Sequence, residues 1–194
     1  MPFTLAQFVK LRPFAWHLTA RSNLPLIQRS RTLVSAERLA GPSTMLREPR
    51  RDVMPVKHDG QTVLLRDQKP LRAEQTIFEG GWGIDDLLAA VNGHVFFWPG
   101  NADAPIAMGR NHFRCYAGDV ALRVPMPALL AANGEPKFCA FNSGAPSARA
   151  RSRRGPTTFA TAHAFERTAG AVKELVFEHT ATLPTFEIID STPA

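Results

Sequence analysis

The chain has 194 residues, 44% of them hydrophobic and 21% charged, which suits one globular domain with a buried core. No apolar run approaches the roughly 18 residues that span a bilayer, and residues 1–10 are too broken for a signal-peptide core, so neither a membrane-spanning nor a secreted chain is expected. The formal net charge of +6 favours polyanionic partners but says nothing of the fold.

Only two cysteines occur, Cys115 and Cys139, and they form no metal-type pair. A lone disulfide would be unusual inside a cell, so the composition fits a cytoplasmic protein. No His, Cys or carboxylate cluster has ligand spacing, and no metal is expected.

Taken in order, Phe14–Thr19 alternates Phe14, Trp16 and Leu18 with Ala15, His17 and Thr19, the period-two pattern of a strand. Ser22 or Asn23 then caps a helix, with Pro25 tolerated in its first turn. His17 and Thr19 therefore share one strand face beside a helix start, a place suited to hydroxyls and anions. A short helical turn is predicted over residues 35–41, ended by Gly41 and Pro42. Residues 45–53 form a basic connector, and residues 56–66 a β-hairpin turning at Asp59-Gly60, with His58 exposed beside it.

The glycines of residues 78–83 precede a helix, but Asp85 and Asp86 fill its first turn and no Lys-Ser/Thr follows, so a phosphate loop is excluded. That helix runs to about Asn92-Gly93, and His94–Gly100 is an apolar strand ended by Pro-Gly. Residues 106–116 read as a helix. His112 and Cys115 share one of its faces, but no third residue stands out to orient the histidine, and the cysteine reads as a small hydrophobe. A strand over 120–124, a helix over 125–132 stopped by Asn133-Gly134, and a strand over 137–141 read as scaffold.

Residues 142–158 are small, polar and rich in arginine, which predicts a long mobile loop. Arg149, Arg151, Arg153 and Arg154 there could track a phosphate backbone or form a solvated connector. The last predicted strand, residues 171–177, puts Glu174 on one face with Val172 and Val176, which an exposed edge strand would also explain.

Trp16-His17-Leu18-Thr19 followed by Asn23-Leu24-Pro25 resembles the opening of the DarT family of nucleic-acid ADP-ribosyltransferase toxins. Arg50 or Arg51, the run Phe96-Phe97-Trp98-Pro99, and Glu174-Leu175-Val176 follow in the same order, although the aromatic strand lacks the family's tyrosine. The resemblance implies a mixed α/β (α+β) domain over residues 1–194, with two packed sheets around an NAD cleft and peripheral helices. It implies an NAD-dependent mono-ADP-ribosyltransferase of toxin or defence type. His17, Thr19 and Asn23 would hold the adenosine half, Arg50 or Arg51 the diphosphate, and Phe97 or Trp98 the nicotinamide, with Glu174 catalytic. NAD would be the co-substrate, nucleic acid the acceptor, and an antitoxin protein a possible partner. A non-catalytic nucleic-acid or nucleotide-binding module, and an RNA 2′-phosphotransferase-like enzyme that relies on arginines, are the competing readings.

Overall fold

The computed structural model describes residues 3–41, 46–116, 118–145 and 152–190. Helix α1 (Leu5–Leu11) starts with a reciprocal capping box between Thr4 and Gln7 and buries Phe8. Strand β1 (Phe14–Thr19) leads through a single 3-10 turn into α2 (Leu24–Ser30), with Pro25 in its first turn. Next come β2 (Thr32–Val34) and α3 (Ala36–Ala40), whose first turn is capped by the Ser35 hydroxyl accepting from the Arg38 N–H. The hairpin of β3 (Met54–His58) and β4 (Gln61–Leu65) turns at Asp59 and Gly60. Both turn residues have positive φ, 47° and 73°, as a two-residue turn matched to strand twist requires.

Helix α4 (Ile84–Gly93) carries Asp86 back to the Gly83 N–H and runs directly into β5 (His94–Gly100). The chain continues through α5 (Ala107–Cys115), β6 (Val120–Pro125), α6 (Met126–Asn133) and β7 (Lys137–Cys139). It closes with β8 (Glu174–Glu178), β9 (Thr180–Thr182) and β10 (Glu187–Asp190). No helix is long and apolar enough to cross a membrane among the described residues.

The fold is mixed α/β, but it is built on one six-stranded antiparallel sheet rather than two packed ones. Its order is β10-β6-β1-β5-β8-β7, and β2–β9 and β3–β4 are separate two-stranded ribbons. The sheet forks in the middle. β1 pairs with β5 only from Phe14–Gly100 to Trp16–Trp98, while the other half of β5, His94 to Phe97, pairs with β8 on its opposite edge. Beyond Trp16 the two central strands separate, and a cavity lies in that gap.

Both sheet faces are covered, so the alternation within β1 separates two cores rather than core from solvent. Ala15 joins Phe8, Phe97, Leu122, Phe138 and Leu175 on one side. Trp16 and Leu18 pack with Ala121 and the partly buried Trp98 and Phe113 on the other. Short β2, β9 and β10 were not anticipated, because three or four residues carry too little periodicity to stand out.

Two expectations are corrected. Strand β8 is interior, between β5 and β7, so Glu174 is not an edge-strand carboxylate. Nor is the 142–158 stretch simply a mobile loop: residues 146–151, with Arg149 and Arg151, lie outside the described residues, but its two ends are packed. Ser143, Arg154 and Thr158 are buried, and Phe138 forms a bridge with Ala160 just beyond. Arg154 is 1% exposed. Its guanidinium donates to the carbonyls of Asn142, Ser143, Ala145 and Ser152 and lies over the Phe141 ring at 4.0 Å. Five donors in one planar group can close several carbonyls at once, which no lysine or hydrophobe can do. This arginine cannot contact a nucleic acid.

Replacing Arg154 with Met removes those bonds and leaves buried carbonyls unpaired. The expected outcome is a destabilisation of roughly 3 kcal/mol, measured by urea denaturation, while Arg153→Ser at the exposed neighbouring position stays within about 0.5 kcal/mol of the parent.

Candidate active site

A cavity of about 350 Å³ fills the fork, within the usual range of small-molecule sites. His17, Leu18 and Thr19 of β1 line one side and His94, Val95, Phe96 and Trp98 of β5 the other. Apolar side chains come from α2, β2 and α3, including Leu26, Ile27, Leu33 and Leu39. Polar ones come from the segment after β4, from α5 and from the turn at 142–144.

His17 sits where the strands part. Were the β1–β5 ladder continued, Leu18 would lie opposite Phe96; instead the His17 imidazole Nδ1–H donates to the Phe96 carbonyl at 2.8 Å. That bond leaves Nε2 as an acceptor for a ligand hydroxyl. Burial holds the His17 pKa down at about 4, so the ring is neutral at physiological pH. Thr19 also lines the cavity, its hydroxyl accepting from the Asn23 amide at 3.2 Å.

Asn23 does not cap α2 with its side chain. Its amide is committed elsewhere, donating to the Leu64 carbonyl at 3.0 Å and accepting from the Leu64 N–H at 2.9 Å. This pair pins the β3–β4 hairpin to the end of β1. Asn23 borders the cavity, but its first task is to build the wall.

Glu174 enters from the first residue of β8. It is 5% exposed and one carboxylate oxygen accepts from the Ser143 N–H at 3.1 Å. Burial pushes its pKa up to about 7, opposed by the Ser143 hydrogen bonds and by the nearby Arg154 charge. The turn that offers Ser143 is the one Arg154 holds together. Asn142, in the same turn, donates its amide to His112 Nε2 at 3.1 Å.

The aromatic candidates separate cleanly. Phe97 is fully buried, packed edge-on against Phe177 at 6.0 Å in the core, and does not line the cavity. Alternation along β5 puts Trp98 in the cavity wall instead, stacked on His112 at 4.8 Å. Burial lowers the His112 pKa. Cys115 is exposed and absent from the cavity lining, so it forms no nucleophile pair with His112 there.

Of the two arginines proposed for a diphosphate, Arg50 lines the cavity, whereas Arg51 turns outward and donates to the Leu71 carbonyl at 3.0 Å. Arg153 is exposed and lies 3.9 Å from Glu79. Several cavity residues escaped the sequence reading: His58, Arg66, Asp67, Tyr116, Asn142 and Ser143. Tyr116 is the only tyrosine in the chain, and it lines the cavity from the end of α5. Its hydroxyl donates to Asp67 at 2.9 Å, which was not visible without the tertiary fold.

The model of a family of unknown function, DUF7002, matches residues 13–184. The chain belongs to that family. The matched segment contains every wall of the cavity, from His17 to Glu174. No curated protein and no solved structure matches the chain. Among the described residues, no group of three or more His, Cys, Asp or Glu side chains is placed to hold a metal ion.

A buried acid whose pKa is raised binds more protons folded than unfolded, so the fold loses stability as pH rises from about 4.5 to about 7. Glu174→Gln keeps the shape and removes that penalty. The variant is expected to match the parent at pH 4.5 and to exceed it by on the order of 1–3 kcal/mol at pH 8, as read by denaturant melts.

Proposed function

We propose that this protein is an ADP-ribosyltransferase that cleaves the nicotinamide–ribose bond of NAD and passes ADP-ribose to an acceptor. The observation that carries this reading is the convergence of His17 and Glu174, from opposite ends of the chain, on one cavity in the sheet fork. The fold is then of the ADP-ribosyltransferase type, with the fork as its NAD cleft.

The bond to nicotinamide breaks through an oxocarbenium-like state, as in glycoside hydrolysis, so an anion beside the ribose stabilises the transition state. Glu174 is assigned this role, since Asp67 in the same cavity is engaged by Tyr116 and Lys69, and it also accepts a ribose hydroxyl. Its Ser143 hydrogen bond fixes its direction before substrate arrives. Neutral His17 and the Thr19 hydroxyl suit the hydroxyls of the adenosine ribose. The apolar side chains of α2, β2 and α3 suit the adenine ring, and Trp98, stacked on His112, forms the wall for nicotinamide. Arginine in the cavity wall supplies the positive charge a diphosphate requires. No step calls for a metal.

Glu174 in the cavity favours this reading over the RNA 2′-phosphotransferase alternative, which relies on arginines. A nucleic acid remains the proposed acceptor, with an antitoxin protein as a partner in a cytoplasmic toxin or defence system. Arg149, Arg151 and Arg153 are the loop arginines left to guide such an acceptor; Arg154 is withdrawn from that role because it is buried.

Nicotinamide release from NAD tests the activity. Release is expected to rise as pH passes about 7, because Glu174 acts as the carboxylate. Glu174→Gln is expected to lose release at every pH while keeping NAD affinity within a few-fold. His17→Ala should weaken NAD binding by about 1 kcal/mol or more, measured by calorimetry. A parent chain that binds no NAD would overturn the assignment.

Serine at Arg149, Arg151 and Arg153 together should weaken single-stranded nucleic-acid binding and lower its salt slope by up to roughly 0.7 per lost contact. NAD binding should stay intact. Unchanged nucleic-acid binding in a gel-shift titration would assign the loop to a solvated connector.

A further inference from the structure

We propose that Arg66, a residue outside the motif pattern, is the arginine that grips the diphosphate of the bound dinucleotide, and that Arg50 is the positioning residue that holds it. This deepens the NAD reading and rests on it.

The two guanidiniums stand in different situations. Arg50 is tied into a partly buried network: its Nε donates to the main-chain carbonyl of Arg66 at 2.8 Å and its Nη1 to Asn92 Oδ1 at 2.6 Å. Its main chain is bonded in both directions to Gln68, whose own amide donates to the same Asn92 oxygen at 3.1 Å. This is a strut joining the segment after β4 to the end of α4. Those bonds commit its Nε and Nη1 donors, so the guanidinium is held within the strut rather than presented as a free fork to phosphate oxygens.

Arg66 follows β4 directly and lines the cavity with its side chain 21% exposed. Its guanidinium lies 3.6 Å from the centre of the Tyr116 ring, a stacking that fixes the plane of the fork. Its Nε is buried, has no hydrogen-bond partner among the described residues, and stands 3.6 Å from Asp119, beyond hydrogen-bond length. The group is central to the cleft: its charge bears on both His17 of β1 and His112 of α5, lowering the pKa of each.

Asp119 and Asp67 face Arg66, with the Tyr116 hydroxyl donating to Asp67 and Lys69 4.0 Å from the same carboxylate. Lys69 is also paired with Asp52 at 3.6 Å, so the cations Arg50, Arg66 and Lys69 balance the carboxylates Asp52, Asp67 and Asp119. The His17 imidazole is neutral, so it adds no charge of its own for a phosphate. A diphosphate entering the fork meets in Arg66 a cavity-wall guanidinium whose Nε has no hydrogen-bond partner among the described residues.

Calorimetry with ADP-ribose and with uncharged adenosine separates the roles. Arg66→Gln is expected to lose roughly 10- to 100-fold in ADP-ribose affinity, to keep adenosine affinity, and to bind ADP-ribose with a much weaker dependence on salt. Arg66→Lys, which keeps the charge but not the fork, should fall between parent and Arg66→Gln, and it preserves the test if the glutamine variant folds poorly. Arg50→Gln should lower the melting temperature while its folded fraction retains the parent's salt dependence. Parent-like ADP-ribose binding by Arg66→Gln, or a salt dependence lost in Arg50→Gln instead, would overturn the assignment and leave the NAD reading standing. A parent chain that binds neither adenosine nor ADP-ribose would bring down both.

Discussion

The His17–Phe96 hydrogen bond stands at the point where β1 ceases to pair with β5, and the cavity depends on that separation. A sheet that continued its ladder would be closed and would have no interior to offer. Opening it strands backbone groups that must find partners, since a buried carbonyl left unpaired is costly. The imidazole meets the Phe96 carbonyl across the gap, at 2.8 Å, so the fork is open without being unsatisfied. The same bond fixes the tautomer and presents the other nitrogen as an acceptor. Structure and recognition here are two ends of one ring.

The opposite wall follows a similar economy. Asn23 bonds both main-chain groups of Leu64 and so fastens the β3–β4 hairpin beside β1. Arg154 gathers the carbonyls of the 142–145 turn, and that turn aims the Ser143 N–H at Glu174. Residues that look like ligand contacts in a linear list are, in three dimensions, the fasteners that place the contacts. Arg50 belongs with them, joining the segment after β4 to α4 through Asn92.

The electrostatics of the cleft are set by burial. Glu174 is held at a raised pKa and His17 at a lowered one, so both lean toward neutrality when the cavity is empty. Keeping a carboxylate in such a place costs the fold stability above about pH 7. The same burial strengthens any interaction the carboxylate makes, because a desolvated anion is worth more to a cation than a hydrated one. Arg154 and Ser143 moderate the cost without cancelling it.

Much of the local structure was legible in the sequence. β1, the Asp59-Gly60 hairpin, α4 with its acidic first turn, and β5 all occur where periodicity and turn chemistry put them, because those signals lie within a few residues of one another. The candidate pair His17 and Glu174 was also nameable from motif order. What sequence could not decide was the partner of each side chain. Phe97 and Trp98 are adjacent aromatics, and only the packing of β5 sends one to the core and the other to the cavity. Arg154 sits in a polar, basic stretch that reads as solvent-exposed, yet four carbonyls and a phenylalanine ring bury it. Arg50 and Arg66 differ in role because of Asn92 and Tyr116, each distant in the chain. Residue type and spacing determine which strands and turns form; the division of a cavity's polar groups into fasteners and contacts arises from long-range partners, which exist only after the sheet has forked.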